Sequence, residues 1–217
     1  MASPHPTLQS LHRVSFLDPS AGKTGAAKLS TCRSAIVTVG LDRYSTPRRI
    51  FVLDAWAARC PTHKLTDKVF EVFETWYPVQ FGCEANAMQS LYADTLLMEA
   101  KRRHVPLPLV SVQQSTRIDK VFRIRTALQP VISSGSLFLR EDQVELIAEI
   151  KAFPSGHLKD IIDALASAVT MLPLETLRET YSDEAQAVAR HLREIGASPH
   201  FIQDQMQKIR AEALNTQ

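Results

Sequence analysis

Three acidic residues stand where side chains could do chemistry together. Asp18 closes the β-type run "VSFLD", Glu84 closes "VQFGCE", and Asp160 lies in the first turns of a helical stretch that begins near His157. Carboxylates delivered from two strand ends and one helix can converge on a pair of hard cations, because Mg2+ and Mn2+ take oxygen ligands and tolerate bound water. A two-metal site of that kind activates a water and stabilises the leaving oxygen in phosphodiester cleavage. The spacing also admits a plainer reading. Leu158, Ile161, Ile162, Leu165, Val169 and Leu172 form the core stripe of the last helix, which leaves His157, Asp160 and Asp163 on its polar face by default.

A second chemical signal lies beside the first acid. In "FLDPSAGKTG" the Gly22-Lys23-Thr24 triplet looks like the end of a phosphate-binding loop. Such a loop needs a glycine five residues earlier, so that backbone N–H groups can ring the phosphates. That position is Leu17, and the intervening Pro19 has no N–H to offer. The segment therefore reads as a strand that hands Asp18 to a turn.

The elements that must position these acids follow from the hydrophobic pattern. After the first strand, residues 33–42 and 48–57 are rich in Ile, Val and Phe and read as two more, so that the chain opens with an antiparallel meander. Leu65, Val69, Val72, Phe73 and Trp76 recur at helical spacing over 64–77, and residues 79–84 return as a strand. A helix over 87–103 ends in Lys101-Arg102-Arg103, which suits the negative end of its dipole. Then come a strand over 106–113, a helix over 116–128 stopped near Pro130, a short strand after Gly135, and helices over 141–151 and 157–171. Strands first in a meander and then alternating with helices make a mixed α/β sheet. Beyond Pro173 the chain is polar, and two appended helices are expected over 175–195 and 198–213.

Composition bounds the class. With 217 residues, 45% hydrophobic and 22% charged, the chain can bury an ordinary core. No apolar run approaches the roughly 20 residues that span a bilayer, and the start "MASPHPTLQS" lacks the order of a signal peptide, so a cytoplasmic protein with no membrane partner is expected. The three cysteines, Cys32, Cys60 and Cys83, are too widely spaced for zinc or redox pairing. The net charge of +2 hides a division: residues 1–130 carry 17 Lys and Arg against 10 Asp and Glu, whereas residues 131–217 carry 8 against 13. The first part could face a polyanion.

Taken in order, "FLDPS", "CEANAMQ", "KVFRIRTALQPVISSGSLFL" and "FPSGHLKDIIDALASA" resemble the C-terminal nuclease domain of tailed-bacteriophage large terminases over about residues 12–172. The resemblance implies an RNase H-like fold, with a mixed central sheet flanked by helices and a helical C-terminal extension from residue 173. It also implies metal-dependent cutting of concatemeric double-stranded DNA during genome packaging, in the host cytoplasm. Asp18, Glu84 and Asp160 would then ligate Mg2+ or Mn2+ at a two-metal site. His157, one helical turn before Asp160, would be an auxiliary ligand. The family often has a second Asp directly before the Asp160 position; here that residue is Lys159, which leaves Asp163 as the supporting carboxylate. Asn86 and Gln89 would support Glu84 or cap the following helix.

Large terminases join this nuclease to an ATPase, and no phosphate-binding loop exists in this sequence. The chain is therefore read as the nuclease portion, with the ATPase domain, portal protein and small terminase subunit as the partners the resemblance implies besides DNA. Arg117, Lys120 and Arg123 are spaced by three on one helix face, and with Lys101 and Arg102 they could grip phosphates. Two alternatives stay open. A junction resolvase or transposase-type enzyme would use a similar acidic triad, and a non-catalytic DNA-binding packaging module would carry these acids only as surface.

Overall fold

A computed structural model describes residues 6–19, 33–45, 47–84, 89–113 and 118–174, together with Val188, His191, Leu192, Phe201 and Gln205. Six strands, β1 (His12–Asp18), β2 (Ser34–Asp42), β3 (Arg49–Ala58), β4 (Gln80–Glu84), β5 (Leu109–Val112) and β6 (Leu137–Phe138), form one sheet in the order β5-β4-β1-β2-β3-β6. The first three pair antiparallel, as the meander requires, whereas β4 is parallel to β1, β5 to β4, and β6 to β3. Among the described residues of the first unit, five α-helices connect and cover them: α1 (Thr62–Trp76), α2 (Gln89–Arg103), α3 (Lys120–Ser133), α4 (Val144–Ala152) and α5 (Asp160–Met171). This is the mixed α/β arrangement the alternation of patterns leads one to expect. The chain divides into two compact units, Met1–Leu172 and Pro173–Gln217. Of the two helices expected in the second unit, only the five single positions named above are described, and all five are helical.

Each face of the sheet has its own cover. Leu17, Ile36, Phe81 and Cys83 point to one side, where Leu65, Val69, Phe70 and Phe73 of α1 and Ala93, Leu96 and Ala100 of α2 bury them. β2 is buried along its whole length, as a central strand covered on both faces must be. Helix α1 stops at Tyr77, which adopts a left-handed conformation with φ 43° and donates its N–H to the Phe73 carbonyl at 2.8 Å just before Pro78.

The opposite face belongs to α5, which packs against β1, β2 and β3 and whose small residues Ala164, Ala166 and Ala168 are fully buried. Packing there is close enough that a Cβ on Gly82 of β4 would strike Met171 of α5 and lie 2.7 Å from Phe16 Cδ2 of the neighbouring β1.

Two boundaries differ from expectation. Helix α3 does not stop near Pro130 but contains it and runs to Ser133. Pro130 falls in the exposed last turns, where the one hydrogen bond it removes is tolerated, and the terminator is Gly135 at φ +66°. Helix α5 starts at Asp160 rather than near His157. Its start is set by a distant residue: the Glu149 carboxylate accepts from the N–H groups of Ile161 and Ile162, both at 2.9 Å. That is an N-terminal cap supplied from α4.

Candidate active site

The site forms where β1 and β4 end side by side. Leu17 is in register with Cys83, so Asp18 and Glu84 occupy the next position on neighbouring parallel strands. Both follow Phe16 and Gly82 by two residues and therefore face α5, since side chains alternate along a strand. Asp18 is held well above the usual carboxylate range, first because it is buried, then because the Glu84 carboxyl beside it disfavours its charge and Asp163 adds negative charge, with Lys120 opposing.

Helix α5 brings Asp163 over this pair. Asp163 is only 3% exposed. Its two oxygens accept from Arg123 Nη2 at 2.7 and 2.9 Å, and Lys120 Nζ lies 3.0 Å from Oδ2. Lys120 and Arg123 occupy the first turn of α3, where the Asp119 side chain caps the helix by accepting from Phe122 N–H at 3.1 Å. Burial works against the Lys120 charge, but Asp163, Asp18 and Asp160 outweigh it and raise its pKa.

Asp160, one turn earlier, faces a different partner. Arg33, just before β2, places Nε 3.3 Å from Asp160 Oδ2, Nη1 2.7 Å from Glu145 and Nη2 2.5 Å from Glu149. Burial works against the Arg33 charge, yet Glu145, Asp160 and Glu149 raise its proton affinity further. Glu149, buried among these groups, is itself pushed up by burial although its helix N–H donors and Arg33 pull it down.

The expected residues are thus distributed as follows. Asp18, Glu84 and Asp163 are brought together, with Lys120 and Arg123 turned inward onto Asp163. Asp160 stands at the rim, tethered to Arg33 while still attracting Lys120. His157 is exposed in the segment before α5, not one helical turn before Asp160, and lines a cleft of about 280 Å³ with Arg33, Glu145 and Glu149. Lys101 and Arg102 do not flank the acids. They end α2, which covers the opposite face and carries the chain about 22 Å along its axis. There Arg102 is held by Glu99 at 2.6 and 2.7 Å, and Arg103 stacks over Phe70. Arg117, Asn86 and the Gly22-Lys23-Thr24 triplet lie outside the described residues.

Arg33, Glu145 and Glu149 were not anticipated. No spacing signals them, because their contacts join positions more than a hundred residues apart. The only local hint is a charged residue directly ahead of a strand rich in Val and Ile.

No group of three or more His, Cys, Asp or Glu among the described residues is poised to hold a metal ion as it stands. The reason is visible in the ion pairs: Asp163 is engaged by Lys120 and Arg123, and Asp160 by Arg33. The donor set nevertheless fits a hard divalent cation. It consists of carboxylate oxygens, and the negative charge that Glu84 and Asp163 crowd around Asp18 is one a cation could offset.

No protein family matches this chain, and no curated protein matches it either. Among solved structures it is similar to the Thermus thermophilus RuvC structure, at 15% identity and a TM-score of 0.41, over 73% of this chain and 91% of that one. It is also similar to T. thermophilus RuvC in complex with Holliday junction substrate, at 13% identity and a TM-score of 0.38, over 73% of this chain and 90% of that one. The sheet itself defines the class. An antiparallel β1-β2-β3 meander flanked on the β1 side by parallel β4 and β5, with helices on both faces, is a mixed α/β fold with the central sheet and flanking helices expected of an RNase H-like chain.

Proposed function

We propose that this chain is the nuclease portion of a tailed-bacteriophage large terminase, cutting double-stranded DNA by divalent-metal-dependent phosphodiester hydrolysis in the host cytoplasm. The observation that carries the reading is the Asp18–Glu84 pair: two acids at the same level on neighbouring parallel strand ends, close to the buried Asp163. A merely solvated acid has no reason to sit there. Asp18 and Glu84 would hold Mg2+ or Mn2+, with Asp160 and Asp163 of α5 in support. When bound, such an ion supplies a water of lowered pKa and neutralises charge on the leaving oxygen.

The chain's own residues do the rest. Arg123 fixes Asp163 by two hydrogen bonds, Arg33 fixes Asp160, and Glu149 anchors the start of α5, so the acids are presented from braced elements. Lys120 keeps a positive charge at the mouth, where a phosphate would arrive. Among the described residues no helix is long and apolar enough to cross a membrane. The ATPase domain, portal protein and small terminase subunit belong to this reading as partners.

The test is cleavage of supercoiled plasmid. Nicking and linearisation with Mg2+ or Mn2+, abolished by EDTA, are expected. Undiminished cutting under chelation would overturn the reading, and cutting confined to four-way junctions would replace it with a junction resolvase.

A further inference from the structure

The solvent-facing side of α3 holds neither the fold nor the acids. The helix packs on α5 and buries Ile124 and Leu128, while Lys120 and Arg123 turn to Asp163. On the other side stands Phe122, 61% exposed and the most exposed of the nine phenylalanines. Ile118 is exposed four residues before it. Arg125, exposed one turn after it, makes no hydrogen bond or ion pair with another described residue. Over its whole length α3 carries three cations and no acid. A ring left in water forgoes the stabilisation of burial, and this one does so beside an uncommitted guanidinium. A protein surface would suit the ring alone; the charge around it selects a polyanion.

We infer that this face of α3 is a second contact on the DNA whose phosphate meets the acids, with Phe122 stacking on a nucleobase and Arg125 holding a neighbouring phosphate. This rests on the nuclease reading above and extends it from the cut phosphate to the bases beside it. Helical side chains lean toward the N-terminus, so Lys120 and Phe122 both reach over the start of α3, the end that lies at the acids. Two residues apart, they stand on opposite sides of a helix roughly 10 Å across, a span of about three base steps. The ring therefore meets the DNA a few bases from the cut. Within a duplex it reaches a base face only by opening a step, as apolar side chains inserted into bent DNA do. Unpaired DNA offers that face at less cost, and should be held more tightly.

The experiment is fluorescence-anisotropy binding of the full chain, in EDTA so that no metal-dependent cutting intervenes, to a short labelled duplex and to the same duplex with a three-base unpaired bubble at its centre. The parent chain should prefer the bubble by at least about five-fold, the lower end for one stacked base. Phe122→Ala should lose that preference with its salt dependence unchanged, and Phe122→Tyr should keep it. Arg125→Ala should lower the slope of log affinity against log salt by about one phosphate contact on both DNAs. Both side chains are exposed, and circular dichroism melting confirms that each variant is folded. A parent chain without the preference, a Phe122→Ala chain that retains it, or an unaltered slope in Arg125→Ala would overturn the inference and give the face to a protein partner, while plasmid cutting with Mg2+ or Mn2+ would still uphold the nuclease reading. A parent chain that neither binds these DNAs nor cuts plasmid would remove both.

Discussion

Gly82→Ala tests the packing that seats the acids. In an ordinary strand, alanine is favoured over glycine by about 0.5–1 kcal/mol because less backbone entropy is lost. Here the added Cβ would lie 2.7 Å from Phe16 Cδ2 and 3.0 Å from Met171 Cε. The Met171 thioether can swing aside. The Phe16 ring cannot, being completely buried between β1 and its neighbours. Overpacking of this kind costs about 1–3 kcal/mol, so the sign of the substitution should reverse. For a chain of this size the melting temperature should fall by about 2–4 °C per kcal/mol. Trp56 and Trp76 are the only tryptophans and both pack against the core of the first unit, so their fluorescence during urea unfolding reports that unit alone. Adding Met171→Ala should couple favourably, with the double variant losing less than the sum of the singles by about 0.5–3 kcal/mol. A neutral or stabilised Gly82→Ala would refute the tight packing of Phe16 and Met171 over β4.

Two strand-end acids should show opposite pH behaviour. Asp18 binds its proton more tightly folded than unfolded, so the stability it contributes is present below the unfolded carboxylate range and lost as pH rises through its raised value. In EDTA the parent chain should therefore melt lower at about pH 8 than at about pH 5, and Asp18→Asn should flatten that slope while abolishing cleavage; an unchanged slope would contradict the raised proton affinity of Asp18. Burial alone would raise Asp42, but Arg49 and the Tyr44 N–H lower it, so its contribution is present above the unfolded range and lost as pH falls. Asp42→Asn should cost about 1.5–3 kcal/mol near neutrality, less in acid, with cleavage by the folded variant unchanged. Lys101→Ala with Arg102→Ala should leave the slope of log DNA affinity against log salt unaltered, since both residues lie across the sheet from the acids; a slope reduced by two contacts would return them to the interface.

Much of the sheet is legible in the sequence because its strands are dense in Ile, Val and Phe and end in turns. The parallel placement of β4 follows from the helix that precedes it. Asp18 and Glu84 are legible as acids closing apolar runs. The relation of Asp160 to Asp163 is not. Their helical phase relative to the sheet is decided by how Ala164 and Ala168 seat α5, and the helix start is decided by Glu149, reached only through tertiary structure. Arg33 is invisible for the same reason, since it bonds Glu149 across 116 positions. Lys120 and Arg123 are legible as a basic face but not as partners of Asp163, because nothing in a three-residue spacing says which way a helix turns that face. The stop at Pro130 misleads because proline near a helix end removes one bond only, whereas Gly135 supplies the left-handed conformation that ends it.

A crystal of the full chain grown with Mn2+ and examined by anomalous scattering addresses the metal site itself. An anomalous peak bridging the Asp18 and Glu84 carboxylates, absent from Asp18→Asn under the same conditions, is the expected result. Saturating Mn2+ with no peak at that pair, in a protein that still cleaves DNA, would contradict the assignment of Asp18 and Glu84 as the metal-holding acids.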